Sequence, residues 1–312
     1  MEFLKNPSYD FLGKTKILLA VSTALILSGV AYISSHGLHY GVEFSGGTQL
    51  IARFQSRPEV DKVRSAVDSV TSGATIQTYD DPSKNQVLIR LPHTGGTEGD
   101  LSGSAQAVLQ ALKDKYGENP VVESSTEIVG PVVGAELRRK ALQLTVWGLL
   151  FQLIYIAFRF GGAVWGFAAT VAVFHDVLIT LGLLDIFGFE ITLNVIAALL
   201  TLVGYSVNDT IVIFDRVREN LKHRRKEPLA KIINDSVNQT LSRTIISSGT
   251  TFLTVLGLFL FGGEVLRGFG FTMVVGIIIG TYSTIYIASP IVAWWANRSK
   301  SAPRAAVKAA AI

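Results

Sequence analysis

Six long apolar segments constrain the fold of this chain more than any other feature of its sequence. Each approaches the roughly 17–25 helical residues that are needed to cross about 30 Å of hydrocarbon. A segment that crosses a bilayer must also satisfy its own backbone hydrogen bonds, as an α-helix does. The pattern therefore predicts a polytopic α-helical membrane protein with six transmembrane helices. The apolar segments lie at residues 17–34, 141–158, 163–187, 191–214, 244–262 and 268–294.

The first apolar segment has an alternative interpretation as a secretory signal peptide. Lys14 and Lys16 precede it, and it ends in small residues. However, the run is long and no clear A-x-A cleavage site follows it. If it were removed, five membrane segments would remain, and an odd number does not fit the prediction that both ends of the chain lie in the cytoplasm. We therefore expect a retained membrane helix.

The composition agrees with a membrane protein and narrows the functional classes. Hydrophobic residues make up 49% of the chain, charged residues 17%, and the mean hydropathy is +0.40. The chain has no cysteine, which excludes disulfides and thiol metal sites. It also lacks a Walker-type phosphate loop and an HExxH zinc helix. We therefore predict that the chain is not an enzyme, holds no metal or cofactor, and uses an energy source other than nucleotide hydrolysis.

The basic residues predict the orientation of the chain. They cluster at segment ends, where they orient helices rather than bind nucleic acid. Residues 1–36 then form a cytoplasmic N-terminus and helix one, and residues 138–296 hold helices two to six with a cytoplasmic loop at 215–243. Residues 297–312 form a cytoplasmic basic tail that we expect to be disordered. Residues 37–137 lie outside the cytoplasm; one basic cluster falls on this side, but loops of about a hundred residues translocate largely regardless of charge.

The extracytoplasmic segment, residues 37–137, is predicted to fold as a domain. Its elements follow the order β-α-β-β-α-β, which is typical of the ferredoxin-like α+β fold. We expect its two helices to cover one face of the sheet and to leave the other face free for a partner. We find no catalytic constellation in it, so docking is its expected role. The strands are predicted at 48–54, 74–79, 86–91 and 121–129, and the helices at 58–70 and 101–116.

Asp209 places a carboxylate inside an otherwise apolar segment. An ionisable side chain at the bilayer centre costs roughly 2.5–3.5 kcal/mol, so it usually faces the protein interior and serves ion or proton movement. Arg243 enters the membrane from the same side on helix five, and the helical rise places it roughly 8 Å from the depth of Asp209. A long snorkelling side chain can largely span this gap. The pattern predicts a transporter or an energy-coupled membrane machine.

Other polar residues recur at helical spacing and leave two interpretations open. Such residues can serve a transport pathway, or they can simply let helices approach and form hydrogen bonds. His175 and Asp176 in helix three are a second candidate pair, although each could simply satisfy the other. The predicted stripe in helix four comprises Asn194, Ala198, Thr201, Tyr205, Asn208 and Asp209, and the stripe in helix five comprises Arg243, Ser247, Thr250, Thr251 and Thr254.

Five ordered motifs resemble a known family over nearly the full length of the chain. They are GVEFSGGT at 41–48, VGPVVGAELRRKAL at 129–142, FHDVLITLG at 174–182, GYSVNDTIVIFDRVREN at 204–220 and NQTLSRTIISSGTT at 238–251. On these motifs the chain resembles the SecD/SecF family of bacterial protein-export membrane proteins. That family belongs with the resistance-nodulation-division (RND) transporters. The first motif contains Gly41, Glu43, Phe44, Gly46, Gly47 and Thr48.

The resemblance implies a function and a set of partners. It implies a multi-pass protein of the bacterial inner membrane whose helices form half of an RND-type bundle, with SecD supplying the other half. The pair would act beside SecYEG, and often YajC, and would use proton motive force to promote late translocation of an unfolded exported polypeptide. The resemblance places Asp209 and Arg243 on the proton pathway, with Asn208 as a supporting hydrogen-bond partner.

Two other functions remain open on the residues alone. The chain could be a scaffold without an energy source, in which the helices merely anchor a ferredoxin-like binding module. It could also be half of a small-molecule exporter of the same superfamily. Asp209 discriminates against the scaffold, because an anchor gains nothing from a buried carboxylate. The modest size of the outer domain argues mildly against the exporter.

Overall fold

The computed structural model describes residues 7–79, 82–91, 98–224 and 226–298. The predicted disordered tail lies outside these ranges, except for residues 297 and 298, which end a helix. Within the described ranges, six helices are long and apolar enough to cross a membrane. The predicted helical membrane fold is thus confirmed.

The membrane helices alternate with short connections, apart from the long segment that follows the first. The helix α9 runs through a π-helical segment, Thr284–Ala288, into α10, so together they form the last span. In the described chain, α6, α7 and the last span are the most buried, whereas α1 and α5 are peripheral. The bounds are α1 Thr15–His36, α5 Pro131–Arg159, α6 Ala163–Ile186, α7 Leu193–His223, α8 Leu229–Phe261, α9 Glu264–Ser283 and α10 Ser289–Arg298.

Several of these helices extend beyond the apolar segments that predicted them. The segment 215–243, predicted to be a loop, is helical in its described part except at residues 224 and 226–228, because α7 continues to His223 and α8 begins at Leu229. Apolar content marks only the part of a helix that lies in hydrocarbon, whereas backbone hydrogen bonding continues through polar residues. Ile232 and Val237 are buried against the bundle, and this packing holds the polar half of α8 in line with its span.

The turn between α7 and α8 is closed by charged residues. Arg224 donates hydrogen bonds to both carboxylate oxygens of Glu227, at 2.7 and 2.6 Å, and to Asp235 at 2.5 Å. These bonds from Arg224, followed by the contact with Lys231, lower the pKa of Glu227 to about 2. The turn therefore keeps its charge pairing across the whole physiological pH range.

The domain between α1 and α5 has the predicted β-α-β-β-α-β order. Its described strands form a four-stranded antiparallel sheet with the order β2-β3-β1-β4. Alternate residues of β1, such as Leu50 and Ala52, are fully buried and pack with Val63 and Val108 of the two helices. This alternation is expected for a sheet that is covered on one face. The elements are β1 Gly47–Phe54, α3 Val60–Asp68, β2 Thr75–Tyr79, β3 Gln86–Leu91, α4 Glu98–Lys115 and β4 Val121–Val129.

The second sheet face, predicted to be free, is exposed along most of β4, but part of it is opposed by the helical bundle. That face borders a cleft of about 520 Å³, and the opposite wall belongs to the end of the helical bundle. Arg90 on β3 forms an ion pair across the gap with Glu190, which lies between α6 and α7. The sequence could not show this because the two walls are remote in the chain. The remaining lining residues include Gln49, Ile51, Gln77, Leu88, Glu127, Phe189, Asn194 and Val265.

Candidate functional site

Asp209 lies near the middle of α7 and is 4% exposed. Its Oδ2 accepts a hydrogen bond of 2.7 Å from the Ser248 hydroxyl of α8. Over the described ranges no cation forms an ion pair with this carboxylate. A buried carboxylate held by a neutral hydroxyl can exist with or without its proton, whereas a tightly paired one is held in the ionised form.

Arg243 lies on α8, five residues before Ser248, and its side chain is exposed. Five residues correspond to about 7.5 Å along a helix, which agrees with the expected offset from Asp209. The guanidinium and the carboxylate are therefore on the same helix pair but are not joined in this arrangement. A modest rotation or translation of α8 against α7 would change their separation.

No hydrogen bond joins Asp209 to Asn208 in the described part of the chain, so the predicted support from Asn208 stays a prediction. Asn208 is exposed, whereas Asp209 is buried. Consecutive helical residues point about 100° apart, since one turn takes 3.6 residues. The hydrogen bond to Asp209 comes from Ser248 of α8. The polar stripe that was predicted for helix four, which is α7, is divided in the same way. Asn194 and Thr201 are exposed, whereas Ala198 is buried.

The secondary candidates Thr201 and Tyr205 also lie apart from the direct contacts of Asp209. The Thr201 hydroxyl donates a hydrogen bond of 2.8 Å to the Ala197 carbonyl of its own helix. Tyr205 is half-buried and packs beside Met273 in an apolar cluster of α7, α8 and α9. These contacts favour packing over a direct role.

His175 and Asp176 form the centre of a separate buried cluster. Asp176 is fully buried, and its Oδ2 accepts hydrogen bonds from Ser206 of α7 at 2.6 Å and Ser283 of α9 at 2.8 Å. Its Oδ1 lies 2.9 Å from His175 Nδ1. Asp176 thus joins α6, α7 and α9. This geometry supports the structural interpretation that sequence analysis left open for the pair.

The last span loses regular α-helical geometry close to this cluster. The π-helical segment begins at Thr284, whose hydroxyl lies 2.9 Å from that of Thr210, the residue after Asp209. The Ser289 hydroxyl donates to the Thr284 carbonyl at 2.8 Å across the wide turn. π-Helical turns are rare and frequently occur at functional sites. No residue pattern in the sequence indicated this segment.

The glycine-rich first motif connects the sheet domain to the bundle. It contains the short helix α2, Val42–Ser45, whose Phe44 is 1% exposed. A Cβ on Gly46 would lie 2.8 Å from the Pro131 Cα, and one on Gly134 would lie 3.0 Å from the Phe44 carbonyl oxygen. The glycines therefore allow α2 to pack directly on the start of α5. Of the other motif residues, Gly41, Gly47 and Thr48 are buried and Glu43 is half-buried.

Two carboxylates lie where this motif meets the sheet. Glu43 and Glu127 line the cleft beneath the sheet and also a smaller adjoining cavity of about 350 Å³. Burial, and next the charge of Glu43, raises the pKa of Glu127. The sequence did not single out Glu127, because it lies in an edge strand that is polar and exposed along most of its length.

Two family models match the chain. "Protein export membrane protein SecD/SecF, C-terminal" matches residues 108–298, and "SecD/SecF GG Motif" matches residues 32–56. The protein translocase subunit SecF of Calditerrivibrio nitroreducens is 42% identical over 94% of this chain and 96% of its own. The SecF subunit of Gemmatimonas aurantiaca is 40% identical over 99% of this chain and 95% of its own.

A fused relative and solved structures extend the comparison. The protein translocase subunit SecDF of Thermus thermophilus is 38% identical over 96% of this chain, which spans 40% of that longer protein. The crystal structure of SecDF from this organism, described as a translocon-associated membrane protein, superposes with a TM-score of 0.81 over 94% of this chain and 39% of its own. A super-membrane-facing form of SecDF gives a TM-score of 0.69.

Proposed function

Since the chain belongs to the SecD/SecF family of protein-export membrane proteins, we propose that it is the SecF-type half of a proton-driven unit of the bacterial Sec machinery. In this role it pairs with SecD, acts beside SecYEG and YajC, and promotes late translocation of an unfolded polypeptide. The fusion of both halves in the Thermus relative supports the pairing with SecD. The inner membrane is the proposed location.

The observation that carries this proposal is the buried carboxylate of Asp209, which is hydrogen-bonded to Ser248 and forms no ion pair among the described residues. A proton that crosses 100 mV releases about 2.3 kcal/mol, enough to tilt an equilibrium between two arrangements but not to unfold a cargo domain in one step. In general a nearby guanidinium favours the ionised form of a carboxylate, whereas burial favours the neutral form. We propose that movement of α8 brings Arg243 toward or away from Asp209 and so couples proton uptake to helix packing.

An uncovered polar face of α7 and α8 supports the need for a partner. Gly204 of α7 and Gly249 and Gly257 of α8 have open space where a Cβ would project. Faces with small and polar residues are typical of contacts between membrane helices, because they allow close backbone approach and hydrogen bonding. We propose that the helices of SecD cover this face. Its exposed polar residues include Asn194, Thr201, Asn208, Arg243, Thr250 and Thr254.

The proposal includes an orientation that can be measured. The sheet domain should lie outside the cytoplasmic membrane, and the turn at 224–228 and both termini should lie inside. Single cysteines are convenient because the chain has none. In spheroplasts, an impermeant thiol reagent should label Lys84→Cys but label Lys226→Cys only after lysis. The reverse labelling pattern would invert the orientation.

The proposed function is tested by reconstitution with and without SecD. Vesicles that contain SecYEG, SecD and this chain should translocate an exported polypeptide faster when a proton gradient is imposed. Vesicles with this chain but without SecD should show no such gain, because the polar face stays uncovered. A full response without SecD would contradict the paired arrangement. No response with SecD would favour the scaffold function.

A further inference from the structure

A second buried carboxylate lies at the end of the bundle that carries the sheet domain. Asp185, in the last turn of α6, is fully buried. Its Oδ1 lies 2.7 Å from Nδ1 of His39 and accepts a 3.3 Å hydrogen bond from the His39 backbone N–H. Its Oδ2 is also buried and has no hydrogen-bond partner among the described residues. The His39 side chain is 50% exposed, so solvent protons reach the pair from one side.

This pair lies where the sheet domain meets the bundle. The backbone of His39 and Gly41 exchanges hydrogen bonds with Ile191, at 2.7 and 2.9 Å. A glycine with positive φ lies close by in each of the two connected segments. Gly37, with φ +79°, ends α1, and Gly188, with φ +73°, follows α6. Such positions tolerate changes in backbone torsion that other residues resist. The connection is thus a short backbone bridge flanked by flexible points, with the Asp185 carboxylate beneath it.

We propose that His39 and Asp185 are positioning residues that form a protonation-sensitive joint, which sets how firmly the sheet domain is held against the bundle. Histidine is the side chain whose charge ordinarily changes between about pH 5 and pH 8. A neutral imidazole can donate one hydrogen bond to the Asp185 carboxylate, whereas a protonated imidazole adds an opposite charge to the same contact and so strengthens it. The joint should therefore be firm when its side of the membrane is acidic and loose when that side is neutral or alkaline.

Other charged groups around the joint must be separated from His39. His36 stands at the end of α1 and stacks on Tyr32. Arg138 of α5 lies over the ring of Tyr40. Further charged groups on the neighbouring elements include Glu43 on α2, Glu127 on β4, Glu136, Arg139 and Lys140 on α5, Arg267 on α9 and the Arg90–Glu190 ion pair. Among these, His36 is a second imidazole close to His39 in the chain, and burial raises the pKa of Glu127, so both serve as controls.

The importance of this joint for export rests on the proposed function, but its pH response can be measured without translocation. Val122 on β4 and Phe261 at the end of α8 are 61% and 87% exposed. Cysteines at these positions in the full chain, assembled with a cysteine-free SecD in lipid nanodiscs, carry spin labels. The spread of distances between the labels should fall about twofold from about pH 8 to about pH 5.5. His39→Asn and Asp185→Asn should each abolish this narrowing.

The controls decide between the joint and its neighbours. In the His36→Asn and Glu127→Gln variants, the distance spread should fall on acidification as it does in the parent chain. The proposal would be overturned if the distance spread did not fall on acidification in the parent chain, or if it still fell in His39→Asn. It would also be overturned if the fall were lost in Glu127→Gln. Because His39 is half-exposed, its replacement tests the joint even if Asp185→Asn fails to fold. The pH-dependent fall in the distance spread could be present while translocation into vesicles does not respond to a proton gradient. That combination would support the joint and reject the proposed function.

Discussion

Replacing Asp209 by asparagine should abolish the part of polypeptide translocation that depends on the proton gradient, while the chain still folds and binds SecD. Asparagine has nearly the same shape, and its side-chain oxygen can still accept the hydrogen bond from Ser248. It cannot, however, bind and release a proton near neutral pH. The rate of translocation into vesicles should therefore be the same with and without an imposed gradient.

A carboxylate on the same helix provides the matched control. Asp215 is half-buried and lies 3.5 Å from Arg159 at the opposite end of the bundle from the sheet domain. Asp215→Asn removes an equal charge from α7 but leaves the buried site intact, so the gradient response should survive. If Asp209→Asn vesicles responded fully to the gradient, the carboxylate would be structural and the scaffold function would gain support.

The largest loss of stability is expected for Asp176→Ala. The change would leave the Ser206 hydroxyl and the His175 ring without their acceptor in the interior, whereas the Ser283 hydroxyl can still donate to the Gly280 carbonyl at 3.1 Å. Each buried donor left unsatisfied costs about 1–3 kcal/mol, so the free energy of unfolding should fall by at least about 2 kcal/mol. Asp176→Asn keeps an oxygen acceptor and should lose roughly half as much.

Unfolding of the purified chain in mixed micelles would measure this loss. Asp215→Ala, which removes a half-exposed carboxylate from the neighbouring helix, should change the free energy of unfolding by no more than about 0.5 kcal/mol. A loss below about 1 kcal/mol for Asp176→Ala would mean that water or rearranged helices satisfy the cluster, and that it does not hold the bundle together.

The sequence predicted Asp209 because a carboxylate in an apolar segment is rare and costly. It did not predict Ser248 as the partner, since serines are common in membrane helices and this contact depends on the register of α8 against α7. The exposure of Asn208 was not predictable for a related reason. A spacing of three or four residues can place two consecutive residues on the same predicted stripe. In the structure, however, Asn208 is exposed and Asp209 is buried.

The fold was predictable wherever a strict periodicity repeats. The sheet domain has a two-residue alternation in β1 and a helical spacing in α3, and its predicted element order is confirmed. The ends of α7 and α8 were not predictable from apolar content, because their polar extensions depend on tertiary packing of residues such as Ile232. The cleft beneath the sheet likewise depends on contacts between remote segments.

The contact between α1 and α6 bears on the order in which the chain is built. A Cβ on Gly29 would lie only 2.9 Å from the Gly182 Cα, and one on Gly182 only 2.8 Å from the Gly29 Cα, so the two backbones touch there. At about 5–20 residues per second, the roughly 150 residues between these glycines take about 8–30 s to synthesise. During that interval α1 must reside in the lipid without its neighbour. The composition of α1 is compatible with residence in lipid, because α1 lies in the most apolar of the described spans.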